Sequence, residues 1–296
     1  MGTTGEAPGA VRLGSNQYGK AENRVVRIHR DTPRHEIRDL NVSTALRGDF
    51  TAAHVDGDQA HVLPTDTQKN TAFAWAKRHG VSSPEDYALA LGRRLLEATP
   101  AATGCLVTVE EQAWARIEVD GAGHDHAFVR RGEEVRTVVA DVTRDGATVE
   151  SGLRDLVVLK STGSEFKGFL HDEYTTLQDT DDRVLATSLT ARWRHASEPA
   201  ADDPPFDWDA SYADVRRLLV EAFATTYSRA LQETLWAMGK AVLEAHDGLA
   251  EVSFVAPNKH HHLVDLTPFG LDNPGEVFIA ADRPYGLIEA TVTREP

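Results

Sequence analysis

The sequence predicts an α+β fold in which one order of elements, ββααββ, occurs twice. Three observations predict it. A chain of 296 residues suits two compact units of about 150 residues each. Several segments alternate apolar and polar residues with a period of two, and others carry apolar stripes with a period of 3.6. The two kinds of segment follow each other in the same order in both halves, with a boundary near residue 146. Each unit is then an antiparallel sheet with two helices on one face, and its other face is solvated or packed on something else.

The opening MGTTGEAPGA has neither a basic leader nor an apolar core and reads as a disordered tail over residues 1–11. The first unit spans 12–146. Asn23 to Arg30 and Leu40 to Leu46 form a long hairpin, with Leu40, Val42, Thr44 and Leu46 on the buried side of the second strand. Thr65 to His79 reads as a helix. So does Ser83 to Ala98, which opens with Ser83 as N-cap, Pro84 at the first helical position and acidic Glu85 and Asp86 in the first turn. Strands over about 106–117 and 126–143 close the unit. The second unit spans 147–296. It begins with strands near 148–160 and 183–194, the latter alternating Leu185, Thr187, Leu189, Ala191 and Trp193 against Arg192 and Arg194. Glu198 to Asp209, acidic and proline-containing, reads as a surface loop. The next helix carries Val215, Leu218, Leu219, Ala222 and Phe223 as one stripe, and a second carries Leu231, Leu235, Met238 and Val242. Strands near 251–266 and 276–293 end the chain.

Lys+Arg total 31 against Asp+Glu 46, a net charge of −15 that repels nucleic-acid phosphates and anionic lipid surfaces. No apolar run approaches the roughly 20 residues needed to span a bilayer. The single cysteine, Cys105, cannot form an intrachain disulfide and suits a reducing compartment. No GxGxxG follows a strand, and neither a haem motif nor a 2-His-1-carboxylate grouping is present.

Several polar residues admit two readings. Lys20, in YGK, is either a solvated strand-end lysine or, if desolvated, a proton acceptor near neutral pH. Thr65 and Asp66 read as a helix N-cap, whose free N–H groups also suit an anion. Phe166 is a core residue or a stacking surface; Arg183 is an ion-pair partner of Asp181 or Asp182, or a fork holding two acceptors. Gln232, beside Leu231, is a solvated helix residue or an amide offering both a donor and an acceptor. Asn258 and His260 lie in PNKH. His260 and His262 share a strand face and invite a metal reading, as do His124 and His126, but no carboxylate or cysteine with ligand spacing accompanies them.

The stretch from Leu156 to Arg183, LVVLKSTGSEFKGFLHDEYTTLQDTDDR, fixes many polar and aromatic residues at set offsets, among them Lys160, Ser161, Thr162, Ser164, Phe166, Phe169, Tyr174, Leu177 and Arg183. It resembles the signature segment of urate oxidase (uricase), and the resemblance extends from NQYGKAENRV through DTQKNT and PNKH to DRPYGLIEAT. The resemblance implies tandem T-fold domains assembling into a tunnel-shaped homotetramer, with active sites at subunit interfaces. It implies a cofactor-free oxidation of urate by O2 and water to 5-hydroxyisourate and H2O2. On that pattern Lys20, Thr65 and His260 form a proton relay. Arg183, Gln232 and the backbones of Asp66 and Leu231 hold the ring, Phe166 stacks on it, and Asn258 with Thr65 holds O2 and then water. Pro64 stands where the family usually has a small residue, but proline lacks only its own N–H, so the amides of Thr65 and Asp66 survive. His262 replaces a residue that is apolar or aromatic in the family. Eukaryotic members often end in a peroxisomal SKL-type address; this chain ends TREP, so a cytoplasmic protein is expected. Two alternatives keep the fold: a zinc-dependent T-fold enzyme of pterin chemistry, in which activity would follow bound zinc, and a purine-binding scaffold that consumes no oxygen. Mere binding needs no base, so Lys20 and Thr65 speak against the scaffold.

Overall fold

The computed structural model describes residues 11–199 and 205–295, so of the expected tail only the exposed Val11 is among them. Its strands are β1 (Tyr18–His29), β2 (Glu36–Gly48), β3 (Ala102–Val119), β4 (Ala122–Thr143), β5 (Ala147–Lys160), β6 (Leu185–His195), β7 (Leu249–Leu263) and β8 (Phe278–Thr293). They form one eight-stranded sheet in sequence order, antiparallel throughout. Helices α1 (Thr51–Val55), α2 (Thr65–Arg78) and α3 (Pro84–Ala98) stand between β2 and β3; α4 (Trp208–Thr225) and α5 (Leu231–Ala245) stand between β6 and β7. The fold is thus α+β, with ββααββ laid down twice. Five-residue α1 is an addition to the expected order; it buries nothing and carries no apolar stripe.

The alternation in β2 and β6 decides which face meets the helices. Leu40, Val42, Thr44 and Leu46 are buried, as are Leu185, Thr187, Leu189, Ala191 and Trp193. Two apolar cores lie under the helices. One gathers Val42, Leu91, Leu95, Val107 and Val142 and runs to Val149 of β5. The other starts at Leu153 of that strand and gathers Leu189, Leu219, Leu235 and Phe254. The hand-over from one core to the next therefore falls inside a continuous strand. Glycines let a helix lie close to the sheet in each half: a Cβ on Gly92 would come within 2.7 Å of Val142, and one on Gly239 within 2.5 Å of Val292. Beyond the cores, Val157 and Leu159 of β5 and Ile279 and Leu287 of β8 are exposed.

A buried ionic cluster ties the halves together. Arg136 of β4 donates to Glu85 of α3 (2.6 Å) and to Asp209 of α4 (2.6 Å), and Ser151 of β5 donates to Glu85 (2.8 Å). Arg38 of β2 joins Glu111 (2.9 Å) and Asp209. This corrects the loop expected to run to Asp209. Asp207 caps α4 by accepting from the Ala210 N–H at 2.9 Å, so Asp209 lies in the helix's first turn. Of that loop, residues 200–204 lie outside the described residues, and Glu198 pairs with Arg93. No helix among the described residues is long and apolar enough to cross a membrane.

His195, at the end of β6, is buried with Trp208 and Phe206 edge-on to its ring, and its Nε2 has no hydrogen-bond partner. Burial, helped by the charge of His246, lowers its pKa to about 4. The unfolded chain takes up this proton near pH 6.5 while the folded chain refuses it, so stability is undiminished above pH 6.5 and falls as the pH drops toward 4. The loss across that window is at most about 3 kcal/mol. Thermal unfolding measured between pH 7 and 4.5 should show a smaller decline for His195→Phe than for the parent chain; equal declines would assign the acid sensitivity elsewhere.

Candidate active site

The chain between β5 and β6 is long and mostly exposed, yet its base is stitched to the entry of α5. The Glu165 N–H donates to the Ser228 carbonyl (2.8 Å), and Ser228 returns a bond to the Gly163 carbonyl (3.0 Å). Phe166 and Thr180 exchange backbone bonds of 2.9 and 3.0 Å, and the Arg183 N–H donates to the Ser164 carbonyl at 2.9 Å. Thr234 donates to the Ser228 hydroxyl at 2.8 Å. Lys160, at the foot of this segment, donates to the Thr226 carbonyl at 2.5 Å, near the C-terminal end of α4, where its charge complements the helix dipole. It is therefore a structural anchor for the segment.

These ties place Phe166 and Arg183 beside Leu231 and Gln232, and β7 closes the space with Asn258 and His260. The result is a cleft of about 680 Å³. Arg183 is half-buried. Its Nε donates to the Ser164 hydroxyl (3.3 Å), its guanidinium carbon lies 5.2 Å from the Phe166 ring centroid, and its terminal nitrogens bond nothing among the described residues. It does not pair with its acidic neighbours: Asp181 pairs with Lys167, and Asp182 accepts from Thr162. Burial lowers the Arg183 pKa, so an anion in the cleft would relieve a desolvated cation. Phe169 lies nearly parallel to Phe166 at 5.0 Å, so the Phe166 ring is held between side chains as a flat wall of the cleft.

Leu231 and Gln232 open α5, whose N-cap, Ala230, makes no side-chain capping bond. First-turn N–H groups have no carbonyl one turn back, so they present a partial positive charge at the cleft. On β7 the register with β8 shifts between Asn258 and His260, a bulge of the kind that re-aims side chains. His260 and His262 have rings 5.8 Å apart and inclined by 26°. The His260 pKa is lowered, first by burial and then by the charges of His262, Arg183 and His261.

Lys20, Thr65 and Asp66 do not line this cleft. They meet in a second cluster at the opposite side of the sheet. Gly19 allows β1 to lie against β2 there, since a Cβ would come within 1.7 Å of the Thr44 carbonyl oxygen. Thr44 donates to Gln68 of α2 (2.9 Å), and the Tyr18 hydroxyl accepts from the Leu63 N–H (2.9 Å), so the YGK strand and the start of α2 are held as one piece. Thr65 and Asp66 are not the cap, as expected, but the first two helical residues. Pro64 is the N-cap and makes no side-chain capping bond. The Asp66 carboxylate holds Lys69 and Asn70 and has its pKa lowered by the Lys69 hydrogen bond first and Lys20's charge last. That leaves the Asp66 backbone N–H for a ligand. Of the four main helices, α3 and α4 have side-chain caps while α2 and α5 do not, and the uncapped two carry the binding residues expected at helix starts.

The cleft includes residues that sequence reasoning did not single out. Gln178 and Thr180 come from the signature stretch itself, where their polarity carried no separate signal; Pro274 comes from the β7–β8 connection and Phe278 opens β8. His124 and His126 have rings 4.6 Å apart, with His35 5.9 Å from His126. Among the described residues, no three or more of His, Cys, Asp and Glu are grouped to hold a metal.

The family model described as Uricase matches residues 16–141 and 149–289. Uricase of Arthrobacter globiformis is 54% identical over 285 residues, covering 96% of this chain and 91% of its own. Uricase of Danio rerio is 36% identical, with 97% and 95% covered. The crystal structure of the Arthrobacter globiformis uricase superposes with a TM-score of 0.91 at 53% identity, covering 97% of this chain and 96% of that one. With the family model matched over most of its length and a uricase 54% identical over 285 residues, the chain belongs to the uricase family.

Proposed function

We propose that this chain oxidises urate with O2 and water to 5-hydroxyisourate and H2O2, drawing the electrons from the substrate itself. One observation carries the reading. A flat ring (Phe166), a guanidinium with two unengaged nitrogens (Arg183), an amide (Gln232) and the uncapped start of α5 converge on one cleft. That set suits a planar monoanion with donors and acceptors around its rim. Dioxygen is a triplet and reacts slowly with closed-shell molecules, so a reaction without cofactor needs an electron-rich substrate, here the urate dianion, and hence a base beside the ring. Lys20 activates Thr65 and, with His260, moves the protons. Arg183, Gln232 and the backbones of Asp66 and Leu231 hold the ring over Phe166. Asn258 and Thr65 hold O2, then water. Urate loses two electrons, O2 gains them with two protons and leaves as H2O2, and water supplies the new oxygen on C5.

This reading needs a second copy of the chain. Lys20 lies on β1 and His260 on β7, six strand spacings of about 4.8 Å apart along the sheet. β1 and β8 are its open edges, and open edges call for cover. A second copy laying its β1 along β8 would reduce the separation to two spacings. Exposed Val157, Leu159, Ile279 and Leu287 add apolar surface for assembly. The reading includes a homotetramer of tandem T-fold units, 12–146 and 147–296, enclosing a tunnel with sites between subunits. It also includes a cytoplasmic location, supported by the lone, buried, free Cys105.

The test follows the loss of urate's ultraviolet band together with O2 uptake and H2O2 release on metal-stripped protein. The expected result is one O2 consumed and one H2O2 released per urate, with no dependence on added metal. Activity that returns only with zinc would move the chain to metal chemistry, and urate binding without O2 uptake would leave a purine-binding scaffold.

A further inference from the structure

His260, His261 and His262 all line the cleft, and no step of the reaction assigns work to His262, which shares the strand face of His260. It sits two residues beyond His260 on β7, on the same strand face, with the two rings 5.8 Å apart and close to parallel. The pair faces a confined set of groups. Arg183 and Asp182 come from the β5–β6 segment, and α5 contributes the uncharged Leu231 and Gln232. On β8 the residues opposite His260 and His262 are Ala281 and Ile279, neither of which titrates. His261 lies between the pair along the strand, and its Nδ1 is 3.1 Å from the Lys259 carbonyl. Asp182 already accepts from Thr162. Among the described residues no carboxylate hydrogen-bonds to His260, and none of them favours its protonated form through a direct contact.

We propose that His262 is a positioning residue for the reaction assigned above: stacked on His260, it fixes that ring's orientation and keeps it in the neutral, proton-accepting form. The inference rests on the urate oxidase reading only for the consequence in turnover; the pairing of the two imidazoles stands without it. The physical reason is that two imidazoles in contact, beside a half-buried guanidinium, cannot both carry a proton cheaply. A proton arriving from solution goes to one ring and discourages the second. The lowered His260 pKa, to which burial, His262, Arg183 and His261 contribute in that order, agrees with this geometry. A phenylalanine at this position would keep the stack and remove the competing proton site.

The test compares the parent chain with His262→Phe, as assembled protein, in two readouts. The first is the pH profile of kcat/KM for urate between pH 5.5 and 9.5. The acid limb of His262→Phe is expected to move to higher pH by about half a unit, a loss of about threefold on the acid side with no change above pH 8.5. The second is carbon NMR titration of the histidine rings, with the His260 signal assigned by its absence in His260→Gln; its midpoint should move in the same direction by the same amount. Unmoved limb and midpoint would overturn the proposal, as would a uniform loss of kcat at every pH, which marks a packing role only. If the parent does not turn over urate but the NMR midpoint still moves, the pairing holds and the urate reading fails. Should His262→Phe misfold by circular dichroism, His262→Asn, smaller and uncharged, carries the same two measurements.

Discussion

Arg136→Met is expected to lower stability by about 3–5 kcal/mol, seen as a fall in Tm on the order of 10 °C at fixed protein concentration. The reason lies in what the substitution leaves behind. Glu85 is fully buried and, among the described residues, takes side-chain hydrogen bonds from Arg136 and Ser151 alone. Burial already pushes its carboxyl above the ordinary range, with Arg136 opposing. Without Arg136 the carboxylate stays in the interior with one hydroxyl for company, and Asp209 loses one of its two guanidinium partners. Glu85→Gln keeps hydrogen-bonding capacity while removing the charge, so it should cost less than Arg136→Met. Arg136→Met with Glu85→Leu should recover most of the loss, because a buried pair replaced as a unit leaves no unpaired charge. The sign of the pH effect follows. In Arg136→Met the folded-state pKa of Glu85 lies still further above its unfolded value, so the deficit is full above the folded pKa and shrinks as the pH falls through it toward the unfolded value. A deficit under about 1 kcal/mol, or one that widens in acid, would show that the cluster does not hold α3, β4 and α4 together.

That cluster also marks where sequence reasoning stops. Leu40, Val42, Thr44 and Leu46 declare their buried face by alternation, Ser83 declares its helix start, and Val215 through Phe223 declare a stripe, because each signal is local. Asp209 declares nothing. It follows a polar, proline-containing run and reads as its last residue, while the partners that place it stand 171 and 73 residues away. The same division applies to the cleft. Phe166 and Arg183 are legible in the signature stretch, but the stitching through Ser164 and Ser228 that sets them beside Gln232 has no periodic signature. Thr65 shows how small an error local reading makes: polar residues favour both the cap and the first turn, and Pro64, with its fixed φ, takes the cap. The separation of Lys20 from His260 is a property of strand order alone, and no residue type announces it.

That separation gives the largest expected effect on activity. Lys20→Ala removes the base of the relay and should cost about 10²–10⁴ in kcat, with assembly unchanged. Arg183→Ala removes the fork that holds the ring and should cost a comparable factor in kcat/KM. Each variant alone is expected to be close to inactive. Mixed in equal amounts, dissociated and reassembled, they should regain about one quarter of the parent's activity. The arithmetic is that of a shared site: one chain must bring an intact Lys20 cluster and its neighbour an intact Arg183 cleft, each with a chance of about one half. The geometry of one chain makes the outcome diagnostic, because β1 and β7 stand at opposite sides of an eight-stranded sheet and cannot meet within it. Recovery to about a quarter would establish that the two clusters act across a subunit boundary, and activity should then disappear on dilution together with the assembly. No recovery from a mixture confirmed to contain hybrid oligomers would mean that the Arg183 cleft works without the Lys20 cluster, and the base would have to be sought among the cleft's own residues, beginning with His260.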